Sequence, residues 1–345
     1  MTNTPTPATV FAKALEAGAS DVHIAVDAPL MFRIDGVLVP QTKGTVTAAD
    51  AQRFVKSVLS AAEYKRLEDS REVDVAYELP NGTRLRINCH YERGNVGLAA
   101  RLVPTEIPTL KELNLESIAA SFINKEEGLV LFTGPTGTGK STSLAAVLQH
   151  VSQTRPISIV TLEDPIEFLF PQGHGLFRQR QLGQDFLSFG EALKRILRQD
   201  PDIVMVGEMR DPETIAAALT LAETGHLILA TLHTPNAIQT VDRIIDVFPP
   251  HQQGQIRAQL SMSLKAVVAQ RLLPKVGGGR VAQREVLINT PAASNTIRDN
   301  RIQELKSVLQ TGSERGMVSF EKDAKRLYKE GLISKETYEM AVEIG

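Results

Sequence analysis

The sequence predicts an α/β protein: a large, mainly parallel sheet, preceded by a smaller α+β domain and followed by a helical tail. Three observations carry that reading. Beyond residue 110, apolar runs of strand length first alternate with helical patterns. A glycine-rich loop lies between the first of those strands and the helix after it. The first 103 residues instead hold short strands divided by turn chemistry, with helices among them. A chain of 345 residues has room for two such domains.

Taken in order, the opening Thr/Pro stretch reads as disordered and residues 10–17 as a short helix closed by Gly18. Strands are expected at 21–26, 31–34 and 37–39, with Asp35-Gly36 supplying a tight hairpin between the last two. Thr47 is a good N-cap for a helix to about Leu59. Further strands follow at 73–78, 84–91 and 96–103, the first two separated by Pro80-Asn-Gly82. Two prolines within Val103-Pro-Thr-Glu-Ile-Pro108 and the loss of periodicity mark a linker, placed at 104–109. That sets domains at 1–103 and 110–290, with the helical extension at 291–345. In the extension Phe320, Leu327, Leu332 and Tyr338 are packing points, and Lys322, Lys325, Arg326 and Lys329 read as a solvated face.

The large domain opens with the apolar run 128–133. Gly134, Pro135, Thr136, Gly137, Thr138, Gly139, Lys140 and Ser141 follow and fit G-x-x-x-x-G-K-[ST] without a gap. Thr142 then begins a pattern with Leu144, Val147, Leu148 and Val151 at helical spacing. Such a loop turns successive backbone N–H groups into one concavity that cradles phosphates. Lys140 would lie against the β and γ phosphates and Ser141 would ligate Mg²⁺, so the chain is read as binding ATP or GTP.

Three more core strands end on polar residues. Residues 157–162 lead into Glu163, Asp164 and Glu167; 202–208 stop on Glu208; 227–232 stop on His233. In an open parallel sheet, ligands bind beyond the carboxyl ends of the strands, where the phosphate loop also sits. Glu163, Glu208 and His233 are therefore expected to converge with Lys140 and Ser141. Phosphoryl transfer to water needs a metal ligand, a group that orients the water, and a donor that senses the γ-phosphate. Two carboxylates and a histidine fill those roles.

Composition excludes other classes. With 42% hydrophobic and 23% charged residues the chain is of ordinary globular make-up. No apolar run approaches the roughly 18 residues of a membrane span; the stretch 215–222 reads as a buried helix. The N-terminus lacks the pattern of a secretory signal, so a cytoplasmic location is expected. Cys89 alone rules out an internal disulfide or a multi-cysteine zinc site. A net charge of −2 gives no reason to expect direct nucleic-acid binding.

Four stretches together resemble the motor ATPases of bacterial secretion and type IV pili. Gly134 to Ser141 resembles their Walker A and Thr161-Leu-Glu-Asp-Pro-Ile-Glu-Phe168 their Asp box. Asp200-Pro-Asp-Ile-Val-Met-Val-Gly-Glu-Met-Arg-Asp211 resembles their Walker B, and Thr224-Gly-His-Leu-Ile-Leu-Ala-Thr-Leu-His-Thr234 their His box. The likeness extends to Ala19-Ser-Asp-Val-His-Ile24 and covers almost the whole chain. Within the superfamily the chain is most similar to the pilus retraction (PilT) family, being short and without a tetracysteine module. Val276-Gly-Gly-Gly-Arg-Val-Ala282 supports this; Ala292-Ala-Ser-Asn-Thr-Ile-Arg-Asp299 departs from that family's segment at Ser294 and Thr296, which leaves an accessory, PilU-like ATPase open.

The resemblance implies a PAS-like N-terminal domain, a RecA-like ATPase domain, a homohexameric ring, and ATP with Mg²⁺. It implies retraction of type IV pili, and so twitching motility, powered from the cytoplasmic face of the inner membrane. A pilus platform protein would be the partner there, holding the ring to the membrane, and a paralogous retraction ATPase is a further one. By the same resemblance Glu163 polarises the attacking water and Glu208 stands on the Mg²⁺ side, although the two are exchangeable; Asp164 joins Ser141 and Glu208 as a metal candidate. His233 would sense the γ-phosphate, and His226 would support the turn and count among the nucleotide-binding residues. Arg84, Arg86 and Arg101 would reach nucleotide as the ring closes, with Arg210 a further contact between subunits. Two other readings stay open: a low-turnover regulatory ring that holds nucleotide, and a conjugative or DNA-uptake ATPase.

Overall fold

The computed structural model describes residues 6–103 and 106–343. Of the opening stretch read as disordered, residues 1–5 lie outside the described residues, as do Pro104 and Thr105 of the expected linker. The chain divides into two compact units, Met1–Glu106 and Ile107–Gly345.

The first unit starts with the helix Pro7–Glu16, whose N-cap Thr6 accepts the Thr9 N–H. Its strands are β1 (Ala19–Ile24), β2 (Met31–Ile34), β3 (Val37–Pro40), β4 (Glu72–Glu78), β5 (Arg84–Glu92) and β6 (Asn95–Leu102). They form one antiparallel sheet in the order β3-β2-β1-β6-β5-β4. Asp35 and Gly36, both at positive φ, make the expected β2–β3 turn. One face packs Val22, Phe32, Ile87, Cys89 and Leu98 against Phe11 and Phe54 of the helices Pro7–Glu16 and Ala48–Val58. The helix Ala61–Ser70 was not expected, because only Leu67 of its residues is buried; its signal is the reciprocal cap of Ser60 and Glu63. On the other face Arg33, Asp21, Arg101 and Arg86 stand opposite one another across β2, β1, β6 and β5.

The second unit is built on β7 (Gly128–Thr133), β8 (Ser158–Glu163), β9 (Leu176–Gln181), β10 (Ile203–Val206), β11 (Leu227–Leu232), β12 (Leu264–Pro274) and β13 (Arg280–Ile288). Their order is β13-β12-β7-β11-β10-β8-β9. Every pairing is parallel except the β12–β13 hairpin at one edge. Central strands β7, β10 and β11 are buried along their length, as strands covered on both faces must be. The expected helices appear as Lys140–Thr154 and Pro212–Glu223. β9, β12 and β13 were not read from the sequence.

The core of this unit reaches past both predicted limits. Ile107, inside the expected linker, is buried among Leu110, Phe122 and Phe132. Ala293 and Ile297 of the helix Pro291–Arg298, with Leu305 and Leu309 of Leu305–Thr311, share one apolar cluster with β7 and β11. Only the last helices, Phe320–Lys329 and Lys335–Glu343, have a cluster of their own, where Leu327 and Ala341 meet Leu273 of β12 with Leu332 and Tyr338 packed beside them. No helix among the described residues is long and apolar enough to cross a membrane.

Candidate active site

The ladder registers bring four strand ends to one edge of the sheet. Thr133 of β7 pairs with Leu232 of β11, Ala230 of β11 with Val206 of β10, and Val206 with Leu162 of β8. The phosphate loop, Glu163, Glu208 and His233 lie at these strand ends or within two residues of them, so the registers place all four at that edge.

Leaving β7, the chain takes Gly134 at φ 140, Gly137 at φ 80 and Gly139 at φ 83 before the helix starts at Lys140. A Cβ on Gly134 would stand 2.3 Å from the Gln270 carbonyl oxygen of β12, a distance no side chain tolerates. Pro135, Thr136 and Gly137 form the exposed crest, Thr138 and Lys140 are buried, and Ser141 and Thr142 are half-buried at the helix N-terminus. That terminus presents unpaired N–H groups and the positive end of the helix dipole to an anion. Lys140 Nζ donates to the Gly134 and Pro135 carbonyl oxygens at 2.7 and 2.9 Å, folding back over the loop's own backbone. Burial pushes its ammonium below the ordinary lysine value, against the pull of Glu208 and Glu167.

Glu163 closes β8 and is only 6% exposed. Its Oε1 accepts from Thr161 Oγ1 at 2.6 Å and from Gln179 Nε2 of β9 at 3.1 Å. Burial pushes its carboxyl upward, and those hydrogen bonds offset only part of the effect. Glu208 sits in the loop after β10. The Gly207 N–H donates to Leu162 O at 2.7 Å, the Met209 N–H to Thr231 O at 3.1 Å, and the Thr231 hydroxyl to Gly207 O, so β8 and β11 grip this loop from both sides. Glu208 Oε1 lies 2.9 Å from His233 Nε2 and Oε2 lies 2.7 Å from an Arg210 guanidinium nitrogen. Partial burial pushes its carboxyl up, but Arg210 and His233 outweigh it and hold the group below the usual glutamate value. Arg210 is strengthened as a cation by Glu208 first and by Asp164 as well. The two carboxylates thus have opposite tendencies: Glu163 holds a proton more readily, and Glu208 stays an anion.

His226 keeps the turn-supporting place read from the sequence but not the place at the nucleotide. It precedes β11, level with Gly128 at the start of β7, and its carbonyl accepts the Gly128 N–H. That is the opposite edge of the sheet from the phosphate loop, a strand length of about 20 Å away. Its Nδ1 lies 3.3 Å from Leu221 O and 3.4 Å from Thr224 Oγ1, at the end of the helix Pro212–Glu223, which makes it a turn residue rather than a nucleotide contact of its own chain.

In the first unit, Arg101 Nε is 2.9 Å from Asp21 Oδ1, Arg84 Nε is 3.8 Å from Glu78 Oε2, and Arg86 is exposed opposite Arg101. Two like charges directly across a ladder repel unless an anion stands near; Asp21 supplies one on the Arg101 side. The roles of Thr161 and Gln179 in orienting Glu163 went unread. Gln179 belongs to a polar edge strand with no apolar run to announce it.

Comparison with known proteins agrees with this geometry. The model of the type II/IV secretion system protein family matches residues 5–339. The chain belongs to that family. It is 41% identical to the type IV pilus retraction ATPase PilT of Pseudomonas aeruginosa over 95% of each chain, and 40% identical to the type IV pilus ATPase PilU of the same organism, covering 95% of this chain and 85% of PilU. A crystal structure of the pilus retraction motor PilT with bound ADP superposes with a TM-score of 0.88, at 41% identity, over 98% of this chain and 97% of that one. This likeness, in sequence and in fold from end to end, puts the chain among the PilT-type ATPases of the family. It is an ATPase.

Proposed function

We propose that the chain forms a homohexameric motor that hydrolyses ATP to retract type IV pili, and so drives twitching motility. It would work at the cytoplasmic face of the inner membrane, held there by a pilus platform protein. The observation that carries the catalytic part is the cluster at one sheet edge: the phosphate loop with Lys140, the buried Glu163, and Glu208 gripped by His233 and Arg210.

The residues fit a magnesium nucleotide. Gly134 lets the loop sit against the β12 backbone where a Cβ would clash, its glycines take positive φ, and the loop leads into a helix N-terminus. No group of three or more His, Cys, Asp or Glu stands ready to hold a metal among the described residues; Mg²⁺ at phosphate loops needs none, because phosphate and water complete its shell. Ser141 and the anionic Glu208, with Asp164 beside Gly207 in space, would hold the ion, whose charge would neutralise the phosphates. Lys140 would leave the Gly134 and Pro135 carbonyls for phosphate oxygens. Glu163, with its raised proton affinity, is the better acceptor for the proton of an attacking water. His233 would exchange part of its bond to Glu208 for the γ-phosphate and so register its loss. Arg84, Arg86, Arg101 and Arg210 would bring positive charge to nucleotide in the closed ring.

The test is steady-state hydrolysis by the purified chain beside Glu163→Gln and Glu208→Gln, with bound nucleotide measured in each. Both variants should keep ATP and lose turnover. Wild type that binds ATP without turnover would favour the regulatory ring. The PilU likeness supports a second reading, an accessory retraction ATPase beside a paralogue; deletion of the gene in its host, with surface pili and twitching scored, separates a sole motor from an accessory one.

A further inference from the structure

β12 runs parallel to β7 with Ala269 opposite Thr133, so Gln270 stands beside Gly134. Its side chain is 1% exposed. A buried amide is costly unless its donors and acceptor are used, and this one is engaged on both ends. Nε2 donates to Thr138 O at 2.5 Å; Oε1 accepts from Ser143 Oγ at 2.9 Å and from Arg284 Nε at 3.1 Å. Arg284 is the Cα partner of Gln270 in the β12–β13 ladder and is 2% exposed. It is held in turn: a guanidinium nitrogen donates to Leu113 O at 2.7 Å, and its backbone N–H donates to Asp323 Oδ2 at 2.7 Å.

The chemistry of these partners leaves one orientation for the amide. Arg284 only donates and the Thr138 carbonyl only accepts. The oxygen must face Arg284 and the nitrogen must face Thr138. Thr138 lies two residues before Lys140 in the last turn of the phosphate loop, and Ser143 lies in the first turn of the helix that follows. One side chain therefore fastens both flanks of Lys140 and Ser141 to the sheet.

We infer that Gln270 is a positioning residue for nucleotide binding, clamping the phosphate loop to its helix, and that Arg284 fixes the direction in which the amide acts. The inference rests on the reading of residues 134–141 as the phosphate site. The amide touches no reacting atom; it sets where the loop's N–H groups point. An apolar side chain of equal length would fill the space and leave the Thr138 carbonyl unpaired.

The test measures the affinity of the full-length chain for a fluorescent ATP analogue with Mg²⁺, together with the unfolding temperature of the nucleotide-free chain. Wild type is set beside Gln270→Met, Ser143→Ala, Lys140→Ala and Val268→Ala. Val268 is buried two residues away on β12 and makes no polar contact, so its variant reports what loosening the strand does. Gln270→Met should weaken binding about tenfold, and Val268→Ala should leave affinity within about twofold even where its unfolding temperature falls as far. Affinity unchanged in Gln270→Met, or weakened equally in Val268→Ala, overturns the clamp. Should Gln270→Met not fold, Ser143→Ala decides: a loss of about threefold supports the clamp and none overturns it. Lys140→Ala tells the two failures apart. If it binds like wild type, the phosphate-site reading itself fails; if it loses nucleotide while Gln270→Met keeps it, only the clamp does.

Discussion

His233 Nε2 lies 2.9 Å from Glu208 Oε1, so the end of β11 is tied to the loop after β10 at the carboxylate itself. Arg210 holds the other oxygen. Replacing His233 by alanine frees one Glu208 oxygen and removes a polar donor from the strand edge. In steady-state assays His233→Ala is expected to lower kcat about 10²-fold with a much smaller change in KM. An equal fall in kcat/KM through KM alone would instead mark His233 as a plain binding contact.

Glu163 gives a pH signature. Its carboxyl is raised by burial, only partly countered by Thr161 and Gln179. As a proton acceptor it must be ionised, so turnover should fall as pH drops through a value above the ordinary glutamate range. In Gln179→Leu the carboxylate loses a donor that favours its charged form, so the acid limb should shift upward; an unmoved limb would show that this bond does not hold the carboxylate charged. Stability runs the opposite way. A folded pKa above the unfolded one gives stability that is present below the unfolded value and lost as pH rises through the folded one. At neutral pH Glu163→Gln should therefore raise the unfolding temperature while abolishing turnover.

What the sequence disclosed, and what it withheld, follows from locality. The phosphate loop and the strand ends at Glu163, Glu208 and His233 were legible because motif and strand polarity fix them within a few residues. His226 and His233 flank one six-residue strand, and a strand's rise already puts its two ends on opposite edges of the sheet; assigning both to the nucleotide overlooked that. Gln179 and Gln270 were illegible for another reason. They act through the neighbours β8–β9 and β7–β12, and no local pattern says which strands lie side by side. The long β12–β13 hairpin reads as apolar segments around Val276-Gly-Gly-Gly-Arg280, without the two-residue turn that announces a hairpin.

Two glycines of the phosphate loop should answer differently to the same substitution. Gly134 combines φ 140 with a Cβ position 2.3 Å from the Gln270 backbone oxygen, so alanine must push loop and sheet apart. Gly137 has φ 80 with nothing within 4 Å of its Cβ position, so alanine meets strain alone. Gly134→Ala should cost about 2–5 kcal/mol and remove nucleotide binding. Gly137→Ala should cost about 1–2 kcal/mol. Chemical denaturation of the two variants gives the comparison, and equal losses would contradict the close approach at Gly134.

Cys89 tests the packing of the first unit. It is fully buried on β5, and burial first, then the charges of Glu63 and Asp74, push its thiol up to about 12. In the unfolded chain a thiol ionises at its ordinary value, about 8.5. Between these values the unfolded chain gives up a proton that the folded unit keeps, so stability must fall as pH rises across that window. Cys89→Val removes the group while keeping an apolar side chain, and its denaturation midpoint should decline less steeply from pH 8.5 to 11 than that of wild type. The same burial should keep the wild-type thiol unreactive toward a maleimide at neutral pH until denaturant is added. Rapid labelling of the native chain would show instead that β5 opens readily and that the packing around Cys89 is loose.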